Sequence, residues 1–238
     1  MIQLPAVPLS RVLPRVDHVW HPGGAPHHLV YGMTGAGKST LIKWLLGLCP
    51  YERVIILDPK PHPDPVWDGP PGDPDAWGKP VTQVTPMTGS DRDGGGPAGL
   101  WYRLTGTPDR AETKRRFGEA LAVTAAEGHA VLVLDDVREI CRQLKLAEDV
   151  DSVMNLGRSG NVLAILSATE TGWVAGRSQG AQVWVGYTTG LDSAKAGAAI
   201  LGHSGRPWYE TTQAIAPHEW IYSESQQGSA GPVLVTAS

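Results

Sequence analysis

Residues Gly32-Met33-Thr34-Gly35-Ala36-Gly37-Lys38-Ser39-Thr40 carry the spacing G-x-x-x-x-G-K-[ST]. Each position answers a need of polyphosphate binding. The glycines let successive amides turn inward around phosphate oxygens. A helix opening at the end of the loop adds its first amides and the positive end of its dipole. Lys38 is the cation for the β and γ phosphates, and the Ser39 hydroxyl is a ligand for Mg2+. The expected cofactors are therefore ATP and Mg2+. A second group stands at Val131-Leu132-Val133-Leu134-Asp135-Asp136, an apolar run ending in two carboxylates. Downstream of a phosphate loop, the first acid, Asp135, reads as the holder of the Mg2+ shell. The second, Asp136, reads as the acid that polarises an attacking water.

These groups need a scaffold, and the surrounding pattern describes one. An apolar strand, Leu29-Val30-Tyr31, precedes the loop, and a helix with Leu41, Ile42, Leu45, Leu46 and Leu48 follows it. Val54-Ile55-Ile56-Leu57 is the next strand. The run Pro59-Lys60-Pro61-His62-Pro63-Asp64-Pro65 opens a loop over 59–99, because alternate residues lack an amide donor. Short strands are expected at 81–85 and 100–104. Asp91-Arg92-Asp93-Gly94-Gly95-Gly96 lacks the later Glu of a calcium loop and reads as solvated loop. Thr107-Pro108 predicts a hydroxyl N-cap and a first-turn proline for a helix to Glu127, stopped at Gly128, with Phe117, Ala120, Leu121 and Thr124 on one face.

Residues 130–134 form a strand apolar on both faces. Val137, Ile140, Cys141 and Leu144 are spaced as one helical face, and Val150, Val153 and Met154 as a short helix. Strands follow at 162–166 and 182–186, a helix at 194–201, and strands at 208–209, 220–222 and 232–236. Strands alternating with helices predict an α/β fold: a mostly parallel central sheet with helices on both faces; together with the phosphate loop, it resembles a P-loop NTPase core of the RecA-like/ASCE kind. The chain reads as one P-loop domain over 1–238, with a Pro-dotted lead-in at 1–27 and a strand and hairpin region at 205–238.

The composition narrows the setting. The 238 residues are 41% hydrophobic, enough for a sizeable core, and no run of about 18 apolar residues predicts a membrane span. The first twenty residues lack the order of a signal peptide. Cys49 and Cys141 are too few for a disulfide framework or a four-cysteine zinc site, which points to a reducing cytoplasm. His18, His21, His27 and His28 match no zinc spacing and read as packing or surface histidines. The net charge of −4 means that a nucleic-acid partner must be held by a local basic strip. Arg138, Arg142 and Lys145, at i, i+4 and i+7, would form one stripe on a helix, and Lys114-Arg115-Arg116 is another cluster; a solvated helix face is the plainer reading of each.

Several blocks together resemble the HerA/FtsK superfamily of DNA-translocating ATPases over residues 27–236. They are His28-Leu29-Val30-Tyr31-Gly32 before the loop, Val54-Ile55-Ile56-Leu57-Asp58-Pro59-Lys60 with its D-P-K ending, and Gly157-Arg158-Ser159-Gly160-Asn161 before the strand ending in Thr169-Glu170. Residues 214–222 and 232–235 resemble the superfamily's closing hairpin. The resemblance implies that Thr169 and Glu170 are sensors of the γ-phosphate or its water, and that Arg158 is a finger acting on a neighbouring subunit's nucleotide, a task suited to a planar guanidinium. Two positions depart from the superfamily pattern: Asp136 stands where Glu is usual, and Glu170 where Gln is usual. Asp136 reaches about one methylene less far than Glu, so Glu170 is expected to share the positioning of the lytic water.

A core this compact is most similar to viral genome-packaging ATPases, with no room for a nuclease domain, a winged-helix reader or a membrane anchor. The implied partners are double-stranded DNA, further copies of the chain in a pentameric or hexameric ring, and a capsid vertex or portal component. The implied location is the host cytoplasm or the packaging vertex of the virion. The rivals are a plasmid or mobile-element DNA-transfer ATPase, a small-molecule phosphotransferase and a non-motor nucleotide switch.

Overall fold

A computed structural model describes residues 1–19, 27–47, 53–61, 101–170, 181–224 and 231–236. The strands are β1 (Ala6–Pro8), β2 (His27–Tyr31), β3 (Val54–Asp58), β4 (Trp101–Thr105), β5 (Ala130–Leu134), β6 (Val162–Ala168), β7 (Ala181–Gly186), β8 (Trp220–Glu224) and β9 (Val233–Thr236). The α-helices are α1 (Leu9–Val19), α2 (Lys38–Gly47), α3 (Arg110–Glu127), α4 (Ala147–Gly160), α5 (Gly190–Ile200) and α6 (Arg206–Gln213). The strands form one sheet in the order β1-β9-β8-β7-β2-β6-β5-β3-β4. The described pairings are parallel except β7 with β8 and β8 with β9. This is the mostly parallel α/β architecture expected. The candidate strand at 81–85 and the glycine run at 91–96 lie outside the described residues.

The chain divides into two compact units, Met1–Leu41 with Leu166–Ser238, and Ile42–Ile165. In the first unit β2 pairs with β7 in parallel, His28 opposite Gln182 and Tyr31 opposite Val185. Leu29, Val30, Val183, Trp184, Val185 and Ile221 are buried, as strands covered on both faces require. In the second unit β3 lies between β4 and β5, with Ile56 opposite both Arg103 and Val133. Helix α3 packs on α4, burying Phe117, Ala120, Leu121, Val150 and Val153. The spacings that predicted these two faces were correct.

Five local expectations need correction. The Pro-dotted lead-in, for which no element was expected, holds two: Leu9, Val12 and Val16 are buried on one face of α1, and β1 pairs in parallel with β9. Pro14, inside α1, obscured that period in the sequence. The N-cap of α3 is Asp109, not Thr107; its carboxylate accepts the Ala111 and Glu112 amides, while the Thr107 hydroxyl donates to the Asp109 carbonyl. The face of 137–144 is buried as expected, but its backbone is a π-helical segment, Glu139–Gln143, with the Leu144 amide donating to Glu139 O at 3.0 Å. Helix α5 begins earlier than expected, at Gly190. Trp208 and Tyr209 lie in helix α6, not in a strand. There Pro207 starts the first turn, and Arg206 pairs with Glu210 one turn on, at 2.7 Å.

Candidate functional site

In the first unit the glycine-rich segment joins β2 to α2 as the motif requires. The Gly32 amide donates to Ala168 O at 3.1 Å and the Met33 amide to Tyr187 O at 3.0 Å, so the loop leaves the sheet anchored to the ends of β6 and β7. Ala36 N–H closes a turn on Met33 O at 3.1 Å, and Leu41 N–H on Gly37 O at 2.9 Å begins the helical ladder. Gly35 and Gly37 have φ of +83° and +88°, a region that side chains resist. The Lys38 ammonium donates to Gly32 O at 2.8 Å and Met33 O at 3.1 Å, spanning the loop from its helical end to its strand end. A polyphosphate would offer that ammonium stronger, charged acceptors. Thr34 is exposed, Ser39 and Thr40 are half-buried, and Ala36 is buried.

Thr169 and Glu170 directly follow Ala168, whose carbonyl holds Gly32. Both therefore stand beside the loop's entry, Thr169 half-buried and Glu170 exposed. Glu170 also reaches Tyr31 electrostatically: the phenol's pKa is raised chiefly by burial, with the Glu170 charge a lesser contributor. The structure thus places Thr169 and Glu170 next in the chain to the carbonyl that holds Gly32, although about 130 positions separate them from the loop in the sequence.

The second unit holds the acidic strand end. Asp135 is 3% exposed at the end of β5, its amide donating to Leu57 O at 3.0 Å. Lys60 Nζ lies 3.3 Å from Asp135 Oδ2 and 4.0 Å from Asp58 Oδ1, and the Lys60 amide donates to Asp58 Oδ1 at 3.1 Å. On the far side of Asp58, Arg103 donates to Oδ2 at 3.1 Å. Two carboxylates and two cations thus alternate across β4, β3 and β5. Burial raises the Asp58 pKa, the Asp135 charge raises it further, and the Lys60 amide and Arg103 oppose both. Asp58, Lys60 and Arg103 were not among the expected site residues. The D-P-K sequence was the available signal, and it names neither the Lys60–Asp135 contact nor the partner from β4.

Asp136 adopts φ +73°, a left-handed conformation that Asp tolerates better than most residues. Its Oδ1 accepts the Glu139 amide at 3.2 Å and its carbonyl the Ile140 amide at 3.2 Å. One carboxylate oxygen is therefore engaged in starting the π-helical segment. That segment also breaks the regular stripe expected of Arg138, Arg142 and Lys145: Arg142 and Lys145 are exposed, while Arg138 is half-buried with its Nε enclosed. Arg158 falls near the end of α4, where only its backbone is described. His27 and His28 are buried strand residues, as the packing reading held.

No protein-family model and no curated protein matches the sequence. Solved structures do match. The genome packaging NTPase B204 from Sulfolobus turreted icosahedral virus 2, in complex with AMPPCP, is 15% identical, covers 84% of this chain and 92% of its own, and gives a TM-score of 0.55. The cytoplasmic domain of the Thermomonospora curvata type VII secretion ATPase EccC is 16% identical over 90% of this chain, 25% of its own length, with a TM-score of 0.55. The pCW3 conjugation coupling protein TcpA, with ATPγS, is 12% identical over 88% of this chain and 59% of its own, with a TM-score of 0.50. The mixed α/β chain, with its mostly parallel sheet and its loop between β2 and α2, shares the fold of these three proteins.

Proposed function

We propose that this chain is an ATP hydrolase that translocates double-stranded DNA, and specifically the genome-packaging motor subunit of a virus. The observation that carries the reading is the phosphate loop spanned by Lys38, in a chain whose fold matches a genome packaging NTPase over 92% of that protein. In this reading residues 32–40 cradle the triphosphate, and Lys38 exchanges its carbonyl partners for phosphate oxygens. Ser39 and Asp135 are the oxygen donors for Mg2+. The Asp135 carboxylate already draws a cation, the Lys60 ammonium at 3.3 Å, and a hard oxygen donor of this kind suits Mg2+. When bound, Mg2+ would neutralise charge on the β- and γ-phosphate oxygens.

Thr169 and Glu170 read the γ-phosphate end from the loop's entry. Glu170, exposed beside the loop's entry, shares with Asp136 the orientation of the attacking water. Arg158 completes the pocket of a neighbouring protomer, so turnover requires a pentameric or hexameric ring, at a capsid vertex or portal in the host cell or virion. Among the described residues no helix is long and apolar enough to cross a membrane, and the reading assigns the chain no membrane partner. A second reading, a plasmid or mobile-element DNA-transfer ATPase, is favoured by the match to a conjugation coupling protein.

The test is ATP turnover with and without double-stranded DNA, alongside solution mass with AMPPCP and Mg2+. DNA-stimulated turnover by a ring, abolished by Lys38→Ala, is the expected result. A monomer that phosphorylates an added metabolite, or turnover indifferent to DNA, overturns the motor. Capsid and portal genes beside this one would separate packaging from plasmid transfer.

A further inference from the structure

The turn between α6 and β8 folds back onto the phosphate loop. The His218 amide donates to Ala36 O at 3.3 Å, and the imidazole lies over Gly37: a Cβ built on that glycine would fall 2.5 Å from His218 Nδ1 and 3.0 Å from Cε1. Gly37 therefore resists a side chain on two counts, its φ of +88° and the histidine ring that would have to move aside. His218 itself holds φ +65°, a conformation uncommon for a residue with a Cβ. The turn is braced on both sides of the histidine, by Glu219 N–H on Ala216 O at 3.1 Å and by the Glu219 carboxylate accepting the Ala216 amide at 3.1 Å. Despite these ties the imidazole is exposed. A side chain placed by a braced turn and an unusual backbone, left open to solvent and packed on the glycine before Lys38, is poised to act on whatever enters the loop.

We propose that His218 is a nucleotide-contacting residue, a hydrogen-bond donor to the polyphosphate held by residues 32–40. The proposal rests on the phosphate-loop reading and adds a group that no part of the loop motif supplies. An imidazole is suited to the place. One ring nitrogen can face the loop while the other presents a proton. Because the same residue heads directly into β8 through Glu219, the contact also links nucleotide occupancy to the C-terminal hairpin.

Two measurements test this. The first is binding of AMPPCP with Mg2+ to the full chain, followed calorimetrically, for wild type, His218→Asn and His218→Gln. Asn tolerates the left-handed backbone but is too short to reach, whereas Gln restores a donor at greater length. Loss of a hydrogen bond to a charged group predicts about tenfold weaker binding for Asn, with partial recovery by Gln. The second follows the His218 ring proton and carbon signals, assigned with the Asn variant, as AMPPCP is added to wild type. They should shift with the binding curve, and the shift should vanish in Lys38→Ala. Wild type binding AMPPCP with an unmoved His218 signal, or an Asn variant of unchanged affinity, overturns this proposal while leaving the phosphate-loop reading intact. Absence of AMPPCP binding by the wild type overturns both.

Discussion

His28 lies fully buried in β2, where its Nδ1 accepts the Trp184 indole N–H from β7 at 3.2 Å. Burial, and secondarily the charge of His27 beside it, lowers its pKa from 6.5 to about 3. In the unfolded chain the same imidazole takes up a proton near its ordinary pKa, so below that value unfolding binds a proton that the folded form refuses. The stabilising effect of the neutral ring is thus present above pH 6.5 and is lost as pH falls toward 3. The slope approaches 1.36 kcal/mol per pH unit, and from pH 7 to pH 5 this single group should cost about 2 kcal/mol. For a chain of this size that is a fall in Tm of about 4 to 8 °C from this residue alone.

The control is His28→Gln, whose amide oxygen can accept from Trp184 but does not titrate. Urea unfolding of both proteins at pH 7, 6 and 5 gives the comparison. The variant's stability at pH 7 falls through altered packing, so only the change with pH is diagnostic. Wild type should lose about 2 kcal/mol more than the variant between pH 7 and pH 5. Parallel pH dependences would show that the buried ring can be protonated without unfolding, and would refute the reasoning.

Arg103→Leu removes the buried cation 3.1 Å from Asp58 and should destabilise by about 3 kcal/mol in urea unfolding, whereas adding Asp58→Asn should recover part of the loss; strict additivity would mean that the pair is not coupled. Gly128→Ala forces a Cβ to 2.0 Å from Gly160 O at φ +62°, and a cost of about 2 kcal/mol is expected in the same assay; a neutral change would place the α3 C-terminus differently. Arg142→Ala with Lys145→Ala, the two exposed members of the basic segment, should lower DNA stimulation of ATP turnover and reduce the salt slope of DNA binding by about 2, leaving DNA-free turnover intact. Undiminished stimulation would make them ordinary surface. Glu170→Gln should slow ATP turnover without weakening AMPPCP binding, and unchanged turnover would remove the water-positioning role proposed for Glu170.

The loop from Gly32 to Thr40 was legible in the sequence because the features that define its motif are local: two glycines at positive φ, a strand before and a helix after. The cores of β2, β3, β5 and β6 were legible for a related reason, since strands covered on both faces are continuous apolar runs. The misreadings have two origins, local signals that mask a period and contacts between distant residues. Helix α1 hid because Pro14 interrupts its period, although Leu9, Val12 and Val16 hold one face. Trp208-Tyr209 has the composition of a strand, and helix start signals at Gly205 and Pro207 overruled it. The residues joined by long-range geometry, Lys60 with Asp135, Arg103 with Asp58 and His218 with Gly37, leave no periodic or spacing trace at all.

That division bears on how the acidic strand end works. A motif reading assigns Asp135 a metal and Asp136 a base from their position after β5, yet the two carboxylates stand in different electrostatic settings. Asp135 is buried and faces the Lys60 ammonium, so any divalent ion there must displace or share with an ammonium that rides on the D-P-K segment. Asp136 is half-buried and has one oxygen committed to the Glu139 amide, so its carboxylate is tied to the backbone of the π-helical segment. π-Helical turns recur at functional sites because they shift the register of side chains within a helix. Here the shift follows directly on the acid pair and leaves Arg142 and Lys145 exposed while Ile140 and Cys141 remain buried. A change at the Asp136 carboxylate would therefore act on the same backbone that presents the exposed cations. The acid pair and the two exposed cations thus lie within one eleven-residue stretch, from Asp135 to Lys145.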